Sequence, residues 1–154
     1  MHIAIGSDHA GFLLKREIID LLDELGLAYK DFGAYDQAPT DYPDTGQAVA
    51  EAVAQGAFDR GVLLCGTGIG MDMVANKVRG IRSALCHDTF SAHTSREHND
   101  ANVLCMGERV VGRGLARDIA RIWLTTEFSY QDRHQRRVDK ITSAERVPPP
   151  KSPL

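Results

Sequence analysis

Long apolar runs are absent from this chain, and none approaches the ~20 residues that a membrane-spanning helix requires. Cysteine is scarce as well: Cys65, Cys86 and Cys105 are the only three among 154 residues. An odd number, each closing an apolar run, does not make a disulfide framework, and a reducing compartment is the simpler expectation. Despite six histidines there is no C-x-x-C pair and no H-E-x-x-H segment, so no spacing rule supports a metal site, including one built from Cys65, His9 and His98. Excess positive charge is missing too. The net charge of -3 argues against nucleic acid as the main partner, because a phosphate backbone requires a basic surface. The opening MHIAIG lacks the basic and then apolar stretches of a secretory leader, so the expected location is the cytoplasm. There is no internal repeat, and no low-complexity segment before the last residues.

What is present suits a globular domain: 43% hydrophobic and 25% charged residues, over a length that fits one domain with its own core. Strand-length apolar runs at 2–6, 28–32, 61–65, 82–86 and 103–106 alternate with helix-like stretches at 12–25, 44–55, 68–78, 88–97, 114–126 and 133–145. In the first of these, Leu13, Ile18, Leu21, Leu22 and Leu25 recur close to a 3.6-residue period. Gly26 then supplies a stop, as Gly56 does for the second helix. The domain is expected to span 1–146, with 147–154, containing PPPKSP, as a flexible tail. Five strands alternating with helices predict an α/β fold with a mainly parallel sheet, helices on both faces and right-handed crossovers. In such sheets ligands bind outside the carboxyl ends of the strands. Ser7-Asp8-His9, Cys65-Gly66-Thr67-Gly68, His87-Asp88 and Gly107-Glu108-Arg109 all fall there.

The strongest local signal is VLLCGTGIGMDMVANK at 62–77. An apolar strand enters a loop with Gly66, Gly68 and Gly70, with Thr67 and Ile69 between them, and leaves it as a helix. G-x-G-x-x-G is not met, because Met71 stands where the third glycine belongs, and no Gly-Lys-Ser/Thr follows. Backbone N–H groups at such a turn can hold a phosphate or an oxyanion, or the loop is a tight turn without a ligand. Cys65 precedes it. Thiols near helix N-termini ionise more readily than free ones, so nucleophile and general base are both open, beside an inert core cysteine. Cys86 and Cys105 fit the inert reading better, since no glycine-rich loop follows either. Asp8 either caps the next helix or, with His9, binds sugar hydroxyls or phosphate. His98-Asn99, near a helix end, fits a dipole-complementing residue as well as a proton shuttle. Arg133 and Arg137, four apart on one helix face in DRHQRRVDKI, suit a phosphate dianion or form a solvated basic face. Arg109, in GERVVG, is a further anion contact.

SDHAG, CGTGIG followed by ANK, SREHNDANVL, GERVVG and RHQRRV stand in this order over roughly residues 1–145. Each is weak alone; the ordered set resembles ribose-5-phosphate isomerase type B, within the wider group that includes galactose-6-phosphate and allose-6-phosphate isomerases. The resemblance implies a Rossmann-like three-layer α/β/α sandwich, a homodimer or homotetramer, and catalysis without metal or other cofactor. It implies Cys65 as the base that moves a proton between C1 and C2 through a cis-enediolate, and His98 as the residue that opens the furanose ring. It assigns Gly66, Thr67, Gly68, Ile69 and Gly70 to the enediolate oxygens, and Asp8, His9 and Asn99 to sugar or phosphate contacts. Arg109, Arg133 and Arg137 become the anion-binding set, with the last helix reaching the neighbouring subunit's site. A subgroup of the family uses a loop glutamate in place of the cysteine; Met71 occupies that position here and cannot accept a proton. D-Ribose 5-phosphate is the expected substrate. Allose 6-phosphate, galactose 6-phosphate and a tetrulose phosphate are the alternatives within the chemistry. A non-catalytic phosphosugar-binding module and a thiol-nucleophile hydrolase are the alternatives outside it.

Overall fold

Strand residues alternate between two cores, and that alternation builds the molecule. Ile3, Ile5, Val62, Leu64, Leu104 and Met106 point into one buried cluster, while Ala4, Leu63, Cys65, Val103 and Cys105 point into the other. A sheet buried on both faces needs helices on both sides. The computed structural model, which describes residues 1–145, supplies them. The expected tail at 147–154 lies outside the described residues.

The strands are β1 (His2–Ser7), β2 (Ala28–Asp31), β3 (Arg60–Cys65), β4 (Ser83–Leu85) and β5 (Val103–Gly107). The helices are α1 (Phe12–Glu24), α2 (Tyr42–Ala54), α3 (Ile69–Ala75), α4 (Thr89–Glu97), α5 (Arg113–Thr125) and α6 (Asp132–Ala144). All strand pairs are parallel, in the order β2-β1-β3-β5-β4. The α/β sandwich expected from the sequence is the one observed. Leu14, Ile18, Leu21 and Leu22 of α1 pack with Ala116, Ile119 and Trp123 of α5 on one face. Val49 and Val53 of α2 pack with Met71 and Ala75 of α3 on the other.

Element ends follow local chemistry. Gly26 and Gly56 take the positive φ that closes α1 and α2. Helix α2 begins two residues earlier than expected, because Pro43 fits a first helical turn, where its missing N–H costs nothing. Helix α3 ends at Ala75 rather than at 78 and β4 shrinks to three residues; the side chain of Asn76 bridges the two, accepting from the Ser83 N–H at 2.9 Å. A buried lysine pins the segment after β2: Lys15 Nζ donates to both Asp31 carboxylate oxygens, at 2.7 and 2.8 Å, and to the Ala34 carbonyl. That segment leads to Tyr42, which belongs to the site below.

The strand order decides where a ligand sits. The chain leaves β1 through α1 for β2 on one side, and the next crossover, through α2, sets β3 on the other side of β1, so a crevice opens between the carboxyl ends of β1 and β3. Strand β5 is inserted between β3 and β4, which sets the Gly107-Glu108-Arg109 turn directly beside Cys65-Gly66.

Candidate active site

The crevice at the carboxyl ends holds a cavity of about 300 Å³. Asp8, His9, Cys65, Gly66, Thr67, Gly70 and Arg109 line it, together with Ala10 and Tyr42. Asp8 follows β1 and its Oδ1 accepts from the N–H groups of Ala10 and Gly11, each at 2.9 Å. The capping role is therefore real, and only the second oxygen is left to meet a ligand. His9 stands next to it in a single 3₁₀ turn, His9–Gly11. The Thr40 N–H donates to His9 Nδ1 at 3.2 Å. With Nδ1 accepting, the neutral ring carries its hydrogen on Nε2 and acts there as a donor.

Cys65 ends β3 with its side chain 5% exposed. The Gly68 N–H donates to its Sγ at 3.1 Å, the orientation that suits negative charge on sulfur. Gly68 has φ +78°, a conformation that a side chain would strain, and it turns the chain into α3. The Ile69 N–H is taken by Thr67 Oγ1 at 3.3 Å. Two of the loop donors expected to form an anion nest are thus engaged locally, and an oxyanion would rely on the loop's other N–H groups and the Thr67 hydroxyl. The other cysteines behave differently. Burial pushes the Cys86 thiol up to about 11, and burial raises the Cys105 thiol well above the ordinary thiol range. Both stay protonated at neutral pH, as buried apolar-site thiols do.

The loop is held from the β5 side. The Glu108 N–H donates to the Cys65 carbonyl at 2.9 Å and the Arg109 N–H to the Gly66 carbonyl at 3.0 Å. Glu108 Oε2 accepts the Leu14 N–H of α1 at 2.8 Å, tying the Asp8–His9 turn to the same frame. Gly107 lies so close that a Cβ there would come within 2.5 Å of the Thr67 carbonyl carbon. Gly107→Ala must therefore move backbone, and we expect a stability loss of about 1–3 kcal/mol. Turnover should fall as well, because the displaced segment is the Cys65 loop; urea unfolding beside steady-state kinetics checks both.

His98 and Asn99 are elsewhere in the chain's own fold. Helix α4 starts at the carboxyl end of β4 and runs back antiparallel to the strands, about 13 Å for nine residues. It delivers His98, its C-cap, to the opposite edge of the sheet from Cys65. Arg82 Nε, just before β4, donates to the Asn99 carbonyl at 3.1 Å there. The His98 ring packs on that of His134 in α6, with centroids 4.2 Å apart. Arg133 and Arg137 flank His134 on the same helix and are exposed. One chain thus places the expected site residues as two half-sets: Asp8, His9, the Cys65 loop and Arg109 at one edge, His98, Asn99, Arg133 and Arg137 at the other.

Sequence reading missed Tyr42 and Ala10, and it set Glu108 at the strand ends without giving it a role. Tyr42 sits over Gly70, where a Cβ would approach its ring to 2.7 Å. Only its place beside Pro43, at the start of α2, hinted at it. Among the described residues no group of three or more His, Cys, Asp or Glu is placed to hold a metal ion, and no helix is long and apolar enough to cross a membrane.

A family model described as Ribose/Galactose Isomerase matches residues 3–141. The ribose-5-phosphate isomerase B of Escherichia coli is 48% identical over 143 residues, which is 93% of this chain and 95% of that protein. The D-erythrulose-4-phosphate isomerase of Pectobacterium atrosepticum is also 48% identical, over 83% of this chain and 85% of that one. The solved structure of Clostridium thermocellum ribose-5-phosphate isomerase B superposes with a TM-score of 0.92 at 54% identity, covering 94% of this chain and 97% of that chain.

Proposed function

The chain belongs to the ribose/galactose isomerase family, and we propose that this sugar-phosphate isomerase interconverts D-ribose 5-phosphate and D-ribulose 5-phosphate, with Cys65 as the base. The observation that carries the assignment of the base is a thiol at the end of β3, at the wall of a 300 Å³ cavity, with a backbone N–H aimed at its sulfur. The open-chain aldose loses the C2 proton to Cys65. The resulting enediolate keeps its charge on O1 and O2, where the Thr67 hydroxyl and the loop N–H groups receive it. Donors fixed toward developing charge supply the largest single contribution in such steps. The proton then returns to C1 while the C2 hydroxyl hydrogen passes to O1, which leaves the carbonyl at C2. Binding of the remote phosphate orients C1 and C2 against the sulfur.

The two half-sets support a site shared between subunits. In a homodimer that sets the His98 edge of one chain against the Cys65 edge of its partner, Arg133 and Arg137 close on the phosphate and His98 reaches the ring. The same pairing keeps water from the enediolate. A tetrulose phosphate is the second reading, favoured by the erythrulose-4-phosphate isomerase relative.

Measuring kcat/KM across four-, five- and six-carbon sugar phosphates tests the substrate. Ribose 5-phosphate is expected to lead by at least tenfold, a difference of about 1.4 kcal/mol in transition-state binding. A clear preference for D-erythrulose 4-phosphate or a hexose 6-phosphate replaces the substrate and leaves the isomerase chemistry in place.

A further inference from the structure

Glu97 ends helix α4 beside His98, and one of its carboxylate oxygens faces two imidazoles. Glu97 Oε2 lies 3.0 Å from His98 Nε2 and 3.3 Å from His93 Nε2. A carboxylate oxygen only accepts, so with the nearer contact at 3.0 Å the His98 nitrogen that faces it is the one that carries hydrogen. In a neutral His98 ring that leaves Nδ1 as the nitrogen with the free lone pair. The plane of the ring is set separately by His134, tilted 38° to it at 4.2 Å. His134 is itself buried and held through Nδ1 by Ser129 Oγ at 2.6 Å. Burial, followed by His98, Arg133 and Arg137, keeps its imidazole below the ordinary histidine range, so it stays neutral and acts as a flat wall.

We propose that Glu97 is the positioning residue of the ring-opening step, holding His98 through Nε2–H so that Nδ1 is the atom presented to the sugar. The proposal rests on His98 as the ring-opening residue. In that step Nδ1 takes the hydrogen of the anomeric hydroxyl as the C1=O1 bond forms. The C1–O4 bond breaks, its electron pair goes to O4, and the same hydrogen is handed on to O4. A base oriented by a third group is the general arrangement for such proton transfers. Folding has little stake in the contact. His98 and Glu97 are 40% and 37% exposed, and ion pairs at such exposure add little stability. A loss of activity on removing Glu97 is therefore a loss of orientation.

The test separates ring-closed from open-chain substrate in one enzyme. Ribose 5-phosphate is mostly a furanose. Ribulose 5-phosphate cannot close a five-membered ring, because the C5 oxygen carries the phosphate. Glu97→Ala is expected to lower kcat/KM for ribose 5-phosphate about tenfold, below the ~10²–10⁴ that a positioned acid–base group contributes as a whole, because His98 itself remains. Solvent deuterium should still enter C1 of ribulose 5-phosphate within about twofold of the wild-type rate. Glu97→Gln, which keeps an acceptor for Nε2–H, should recover most of the loss and serves if the alanine variant does not fold. Equal losses in both assays, or none with ribose 5-phosphate, overturn the proposal. His98→Asn distinguishes the sources of failure. If it too is unselective, the ring-opening reading of His98 falls and Glu97 with it; if it is selective and Glu97→Ala is not, only the role of Glu97 falls.

Discussion

Cys65→Ala is expected to yield a folded protein that no longer isomerises sugar phosphates. Among the described residues, the thiol is the group that stands at both the end of β3 and the wall of the cavity with a proton to give and take. Removing a general base costs on the order of 10³-fold in turnover. Here the loss should be larger in practice, since His9, held with its hydrogen on Nε2 by Thr40, is a donor and cannot substitute. Stability is affected far less. The sulfur is buried against the α2/α3 core, and a small truncation there costs about 1 kcal/mol. Two measurements decide the matter: solvent deuterium entering C2 of ribose 5-phosphate, and thermal unfolding followed by circular dichroism. Full turnover by a folded Cys65→Ala variant would sink the assignment of the base. Cys86→Ala and Cys105→Ala are the internal controls, as their thiols face the cores and remain protonated.

Mixing two inactive variants should restore activity. Cys65→Ala removes the proposed base from one edge of the sheet, and Arg133→Ala with Arg137→Ala removes the proposed phosphate clamp from the other. Each homodimer then has two damaged sites. In a mixed dimer with shared sites, one site carries every lesion and the other carries none. Random reassociation makes half of the dimers mixed, each with one intact site of two, so recovery should reach about a quarter of wild-type activity. Joint refolding of the two variants and an assay against each alone gives the answer. If every site were complete within a single chain, the mixture would show only the sum of the two residual activities. The separation of His98 from Cys65 along α4 is the physical basis of this expectation, because a rigid nine-residue helix cannot bring its two ends together.

Much of the frame was legible because it depends on neighbours in sequence. The period of two that sends Ile3 and Ile5 to one core and Ala4 to the other is a property of extended backbone. The stops at Gly26 and Gly56 are steric, since glycine alone takes a positive φ without strain. The Cys65 loop, with a strand before it and a helix after it, was equally plain. Other features were hidden for an equally physical reason. Helix α3 is shorter than its pattern because Asn76 turns back to Ser83, a contact that spacing does not encode.

By itself, then, the sequence determined an alternating α/β chain, a thiol at the start of a glycine-rich turn, and the ordered motifs of a sugar-phosphate isomerase. Short-range sterics and periodicity suffice for these. Only the tertiary structure decided that β5 enters between β3 and β4, pressing Gly107 against Thr67 and locking the Cys65 loop from the side. Only it set Tyr42 over Gly70, and only it sent His98 and the α6 arginines to the far edge of the sheet. Strand order is settled by which buried faces fit across the whole domain, and no local spacing records that choice.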